Sequence, residues 1–187
     1  MTRYAAIATF DATVESLFDH MRGITAIDRV FYTASELGDW SLIWHLAGAG
    51  QGVLMRDGVA RAARLSACMG VESAFVNGAV KGLFRRTRPV VETDRPHRLR
   101  QPRTSSFPSG HASAAFVAAA LLSDGRRAKP LYYGVATVVA LSRVHVRIHH
   151  ASDVVGGVAL GVALGALAKK AWPLGRAPLG WQELLDR

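Results

Sequence analysis

Four residues, Pro108-Ser109-Gly110-His111, stand where a basic segment gives way to an apolar run, and their types suit anion binding and proton transfer. Ser109 is a favoured N-cap, Gly110 lets the backbone come close to a ligand, and His111 in the first helical turn can give or take a proton near neutral pH. The first N–H groups of a helix lack intrahelical partners and carry the positive end of its dipole, so phosphate is the anion expected there. Taken alone, the tetrapeptide reads equally well as a helix cap with an incidental histidine.

Two distant segments carry matching chemistry. In Lys81-Gly82-Leu83-Phe84-Arg85-Arg86-Thr87-Arg88-Pro89, Lys81 and Arg88 are seven apart, two turns of a continuing helix, which would point both cations the same way. A point charge beside a planar fork of donors suits the several oxygens of a phosphate. Arg85 and Arg86 read equally well as a positive helix flank. In Ser142-Arg143-Val144-His145-Val146-Arg147-Ile148-His149-His150-Ala151-Ser152-Asp153, His149 and Asp153 are four apart, one helical turn. The carboxylate can then accept a hydrogen bond from one imidazole nitrogen, leave the other free as a nucleophile, and steady the phosphohistidine that would form. Arg143 would hold the same phosphoryl oxygens. His145 competes for a role, but lies two helical turns from Asp153. His149, His150 and Asp153 also suit a metal, yet no further well-placed ligand accompanies them, so metal-free chemistry is expected. His20, His45 and His97 are read as structural or exposed, and Arg147 and His150 as solvated or as contacts to a more anionic head group.

These segments need rigid elements that bring them to one face. Apolar runs cover residues 40–54, 65–84, 110–122, 131–141 and 154–168. Helices this apolar exceed what a chain of 187 residues can hide from water, which predicts an all-α helical bundle embedded in a membrane, with about five spanning helices. Several runs are shorter than the ~20 residues a bilayer needs, so the motif segments would extend them at the rim. Residues 1–39 read as amphipathic helices in the membrane interface, with Ile7, Phe10, Val14, Leu17, Phe18 and Met21 opposing Asp11, Glu15 and Asp19. Residues 40–187 then form the bundle, within a single domain overall. Glu72 and Asn77 ought to face its interior, because polar groups are costly in hydrocarbon. Gly157, Gly161 and Gly165 fall on one helix face and would let another helix approach closely.

The net charge of +9 and a pI near 10.6 admit a nucleic acid, an anionic lipid surface or an anionic substrate as partner. The basic residues gather at helix ends and around the two histidines, not along an exposed face with interleaved aromatics, which argues against nucleic acid. If consecutive helices alternate in direction, Arg56, Arg61, Arg64, Arg126, Arg127, Lys129, Lys169 and Lys170 share one set of ends, cytoplasmic by the positive-inside rule. The three chemical segments then share the extracytoplasmic ends of a multi-pass protein of the cell membrane. Residues 1–10 lack the pattern of a secretory signal. Cys68, the only cysteine, allows no intrachain disulfide and is expected as a buried small hydrophobe.

Residues 81–89, 108–111 and 142–153 together resemble the three-part signature of the type 2 phosphatidic acid phosphatase (PAP2) superfamily, which includes bacterial acid phosphatases and vanadium haloperoxidases. The resemblance implies a metal-independent phosphomonoesterase on a helical bundle, with no cofactor. It implies that His149 attacks phosphorus, that Asp153 orients it, and that His111 protonates the leaving alcohol and then acts as base for the hydrolytic water. Lys81, Arg88, Ser109, Gly110 and Arg143 would hold the phosphoryl oxygens. The substrate would be a lipid phosphomonoester or pyrophosphate at the membrane surface, and a homo-oligomer is compatible with that role. The compact size and the linker arginines Arg95, Arg98, Arg100 and Arg103 are similar to small phosphatases of actinobacterial envelope lipid metabolism, whose substrates include decaprenylphosphoryl-phosphoribose. Membrane members of the superfamily usually have six spanning helices, one more than is counted here. The alternatives are a vanadate-dependent haloperoxidase, which would need a water-screened site in a much larger soluble protein, and a non-enzymatic basic lipid-binding module.

Overall fold

The computed structural model describes residues 3–90, 99 and 104–174; Arg95, His97, Arg98, Arg100 and Arg103 lie outside the described residues. Every regular element among the described residues is helical: α1 (Arg3–Asp19), α2 (Thr25–Gly38), a 3-10 turn (Asp39–Ser41), α3 (Leu42–Leu54), α4 (Gly58–Ser73), α5 (Gly110–Leu122), α6 (Lys129–His145) and α7 (Ala151–Ala171). The chain beyond α4 stays helical through a wide π-helical stretch (Ala74–Ala79) and a 3-10 turn (Val80–Leu83).

Helix α5 is the buried centre. Its Ala112, Ala115, Ala118 and Ala119 are fully covered, and such small side chains let neighbours approach its backbone. On α7, a Cβ at Gly157 would stand 2.4 Å from Ser109 O, one at Gly161 2.4 Å from Ser113 O, and one at Gly165 2.7 Å from Ala120 Cβ. The glycine face of α7 is thus pressed against α5 along its length. Ser109 starts α5 as its N-cap, accepting a hydrogen bond from Ala112 N at 3.4 Å.

The opposite ends of the helices are tied by Arg64, one of the basic residues expected at those ends, which is only 1% exposed. Its guanidinium donates to Leu121 O (3.3 Å) and Trp172 O (2.9 Å), the carbonyl ends of α5 and α7, and pairs with Asp124 at 2.9 Å. Carbonyls at a helix C-terminus lack intrahelical donors, so a buried cation is stable there. Arg61 donates to Asp124 O at 3.0 Å, and Gln51 Nε2 to Leu122 O at 2.9 Å. Cys68 is only partly buried, packed against the core.

Helix α1 is turned polar side in. Asp11, Glu15 and Asp19 meet arginines of the bundle, while Tyr4, Ile7, Phe10 and Leu17 are exposed. Phe18 is the buried apolar contact of α1 and packs edge-on to Phe31 and His145. Among the described residues one helix, α7, is long and apolar enough to cross a membrane, with 21 residues and mean hydropathy 1.7. At 1.5 Å per residue it spans about 31 Å, the thickness of a bilayer core. Helix α5 is apolar but shorter.

Candidate active site

The three chemical segments meet at the start of α5. Ser109 N donates to Asp153 O at 2.9 Å, joining the helix start to the third segment through main chain. A Cβ on Gly110 would stand 3.5 Å from Lys81 Nζ and 3.3 Å from Asn77 Oδ1, so the lysine and the amide both lie beside this helix start. Lys81 is buried and within electrostatic reach of Glu72, Arg88, Arg143 and Asp153.

Lys81 and Arg88 do not converge by helical periodicity, as their spacing predicts. The helix stops at Leu83, Phe84 is extended, and residues 84–90 run as a non-helical segment beside residues 104–109. Arg86 O accepts from Ser106 N at 2.9 Å, and Arg86 N donates to Ser105 Oγ at 3.3 Å. From this segment Arg88 donates to Ile148 O at 3.0 Å and to Thr104 O and Ser105 O at 3.2 Å each, and its Nη1 lies 3.1 Å from His149 Nε2.

His149 sits in the turn between α6 and α7, not on a shared helix with Asp153. Its Nδ1 is 3.7 Å from Asp153 Oδ2, ion-pair distance and longer than the hydrogen bond that a one-turn spacing predicts. Asp153 is wholly buried, with its oxygens taken by other donors: Arg86 Nη1 at 2.7 Å, His150 N at 2.9 Å, and the Ser106 hydroxyl. Arg88 can only donate, so the network leaves the lone pair of His149 on Nε2 and its proton on Nδ1, facing the carboxylate. Burial pushes this imidazole well below its ordinary value; Asp153 opposes that, and the Arg143 and Arg88 cations add to it. A neutral imidazole with a directed lone pair is the form that attacks an electrophile.

Arg143 is buried, donates to Ser35 Oγ on α2, and lies within electrostatic reach of both His111 and His149. His111 Nε2 is 3.0 Å from Asp39 Oδ1. Asp39 is brought there by a sharp corner in which Trp40 and Ser41 both take positive φ, 54° and 58°. Gly38 is needed beside it, since a Cβ there would stand 2.8 Å from the His111 ring.

Ser109 is buried, with its N–H given to Asp153 O and its Oγ accepting from Ala112 N, which leaves its hydroxyl proton to give. Glu72 is buried, whereas Asn77, expected inside, is exposed and lies alongside Gly110. His145 is a tie between helices: buried, stacked on Phe31 at 4.6 Å and 2.7 Å from Asp28 Oδ1. Arg147 is partly exposed and pairs with Glu15 at 3.0 Å and with Asp19. His20 is exposed, and His45 lies at the surface beside Ser66.

Sequence reasoning missed Asp11, Asp39 and Ser106, and gave Arg86 no role beyond helix-flank charge. Three carboxylates on one face of α1, in a chain of net charge +9, were the available signal for Asp11.

The decaprenylphosphoryl-5-phosphoribose phosphatases of two Mycobacterium tuberculosis strains, CDC 1551 / Oshkosh and ATCC 25618 / H37Rv, are each 41% identical to this chain over 103 residues, 50% of this chain and 54% of theirs. The chain thus spans about half the length of the curated relatives it matches. The transmembrane PAP2-type phosphatidylglycerolphosphate phosphatase from Bacillus subtilis superposes with a TM-score of 0.64 at 25% identity, over 88% of this chain and 85% of that one. Aquifex aeolicus LpxE superposes with a TM-score of 0.69 over 85% of this chain and 94% of that one, a likeness of fold alone at 22% identity. The profile of the PAP2 superfamily matches residues 61–175, more than half of the chain and all three chemical segments, so the chain belongs to the PAP2 superfamily.

Proposed function

We propose that this protein is a membrane-embedded phosphatase that hydrolyses a lipid phosphomonoester or pyrophosphate through a phosphohistidine on His149. The observation that carries the reading is the setting of His149, with Nε2 3.1 Å from Arg88 Nη1 and Nδ1 toward Asp153. A phosphoryl group that draws Arg88 Nη1 onto its own oxygens would free that lone pair and meet it. In the first step the Nε2–P bond forms and the P–O bond to the lipid breaks, and His111 gives its proton to the leaving oxygen. In the second, water attacks phosphorus, the N–P bond breaks, and His111 takes up the water's proton. Lys81, Arg88, Arg143, the Ser109 hydroxyl and the N–H of Gly110 hold the phosphoryl oxygens as charge shifts among them, the main requirement of phosphoryl transfer. Asp153 keeps the proton on Nδ1 and offsets the charge that His149 gains.

A lipid substrate is supported by an apolar groove of about 680 Å³ between α2 and α6, lined in part by Val30, Ala34, Leu37, Val135, Val138 and Val139. It ends next to the site: Val139 and His111 lie 3.1 and 2.8 Å from where a Cβ of Gly38 would stand. The lipid proposed, a polyprenyl-linked phosphate of the decaprenylphosphoryl-phosphoribose type, follows the relatives in Mycobacterium tuberculosis. We read α3 to α7 as spanning helices with the site at their extracytoplasmic ends, because Arg126, Arg127, Lys129, Lys169 and Lys170 sit at the opposite ends. Residues 1–39 are read as interfacial helices of the same single domain.

Purified protein in detergent with a chelator present, offered a panel of lipid phosphates, tests the reading. Phosphate release that disappears in His149→Ala is expected; undiminished release by that variant overturns it.

A further inference from the structure

Resting on the activity just proposed, we propose that Asp11, on the N-terminal helix α1, is a positioning residue of the catalytic centre, acting through Arg86 on Asp153. Asp11 is nine-tenths buried, although it stands on a helix whose Tyr4, Ile7 and Leu17 are exposed. Its Oδ2 accepts from Arg86 Nη2 at 2.6 Å and from Ser152 Oγ at 2.8 Å, and its Oδ1 accepts from Ser152 N at 2.7 Å. The other arm of the same guanidinium donates from Nη1 to Asp153 Oδ1 at 2.7 Å and to Ser152 Oγ at 2.6 Å. One arginine therefore bridges two buried carboxylates, and one of these carboxylates faces His149 Nδ1.

Charge and geometry both give Asp11 a purpose here. Asp153 Oδ2 is 3.7 Å from His149 Nδ1, so its hold on the ring depends on where the carboxylate is fixed rather than on a close hydrogen bond. That orientation comes from Arg86 on one oxygen and from His150 N and Ser106 on the other. Arg86 leaves a non-helical segment, and a long side chain from such a segment has many rotamers to lose. Asp11 selects one of them by receiving the second arm of the fork, a geometry that planar guanidinium favours. The bond from Ser152 N to Asp11 also places the carboxylate in the unpaired first turn of α7, where a negative charge is favoured. Glu15 and Asp19, one and two turns further along α1, hold Arg147 instead and make no bond to Arg86 or Asp153.

The test is Asp11→Asn in the full chain, with kcat and KM for phosphate release measured beside wild type, His149→Ala and Glu15→Gln. A positioning role lowers kcat by about a hundredfold, the scale of an ångström-sized misplacement, with KM within about twofold and Glu15→Gln close to wild type. The decisive reading is Asp11→Asn added to Asp153→Asn: a residue acting through Asp153 has no further effect there, whereas a merely structural residue lowers activity again. Unchanged kcat in Asp11→Asn, or an additive loss in the double variant, overturns the proposal. If Asp11→Asn does not fold, Arg86→Lys keeps the charge without the two-armed bridge, and undiminished kcat there overturns it equally. A wild type that releases no phosphate from any lipid phosphate overturns the activity itself, whereas an active wild type with an unaffected Asp11→Asn overturns only the role of Asp11.

Discussion

His149 is held between a cation and a carboxylate: Arg88 Nη1 is 3.1 Å from its Nε2, and Asp153 Oδ2 is 3.7 Å from its Nδ1. Arg88 is fixed in turn by the carbonyls of Ile148, Thr104 and Ser105. Arg88→Ala is therefore expected to lower kcat by about a hundredfold or more. Arg88→Lys should recover little, because one ammonium cannot reproduce a fork that meets both the ring and three carbonyls. Initial rates of phosphate release from detergent-purified variants measure both.

The acid side of the pH profile is set by the same imidazole. Burial, joined by Arg143 and Arg88 and opposed by Asp153, holds His149 below its ordinary 6.5, so it stays neutral and nucleophilic into the acid range. Arg143→Gln removes one of those cations, and the acid limb of kcat/KM should move to higher pH as well as dropping in height. A limb that stays in place would show that His149 is not the group titrating. The linkage to stability has a fixed sign: as pH falls through 6.5 the unfolded histidine takes up a proton that the folded one refuses. Stability contributed by this residue is thus complete above that pH and is lost progressively below it, until the folded value is reached. Melting of wild type should fall more steeply with acid than melting of His149→Asn.

At the far end of the bundle Arg64 is expected to matter for stability and not for chemistry. Arg64→Met keeps the packing volume but strips donors from two helix-terminal carbonyls and leaves Asp124 without its partner. Asp124 is a quarter exposed, so water recovers part of the loss, and a decrease of about 3 kcal/mol is expected. Thermal denaturation in detergent should register it, with kcat per folded molecule unchanged.

The glycines of α7 should differ in what they cost. Gly157→Ala drives a Cβ against Ser109 O, and Gly165→Ala drives one against Ala120 Cβ, far along the helix from the site. Each should destabilise by about 1–3 kcal/mol through overpacking. Only the first displaces the Ser109 N to Asp153 O bond, so Gly157→Ala should lose activity out of proportion to its change in melting temperature.

Apolar runs located the helices of the bundle, because burial and hydrocarbon both demand a continuous hydrophobic face. The three chemical segments were legible for a different reason, as their residue types and order resemble the PAP2 signature, although the helical spacing of Lys81 and Arg88 does not bring them together. What escaped were the groups whose meaning depends on a distant partner. Asp11 and Asp39 are ordinary polar residues of an amphipathic segment until Arg86 and His111 are brought against them. The arginines that meet the carboxylates of α1 escaped too, as spacing along a helix does not name its partners. The end of the helix at Leu83 was hidden because residues 74–83 pass through π and 3-10 geometry, which periodicity does not distinguish from an α-helix running on.

The main-chain bond between Ser109 and Asp153, beside the glycine face of α7, makes the spacing between the proposed general acid His111 and the proposed nucleophile His149 depend first on two backbones. Heat, solvent or an unsuitable detergent that parts this central pair would dismantle the proposed site at once, whereas loosening of α1 or α6 would cost it Asp11 or Arg143 while the central pair still stands. Inactivation should therefore precede unfolding when the outer helices loosen first.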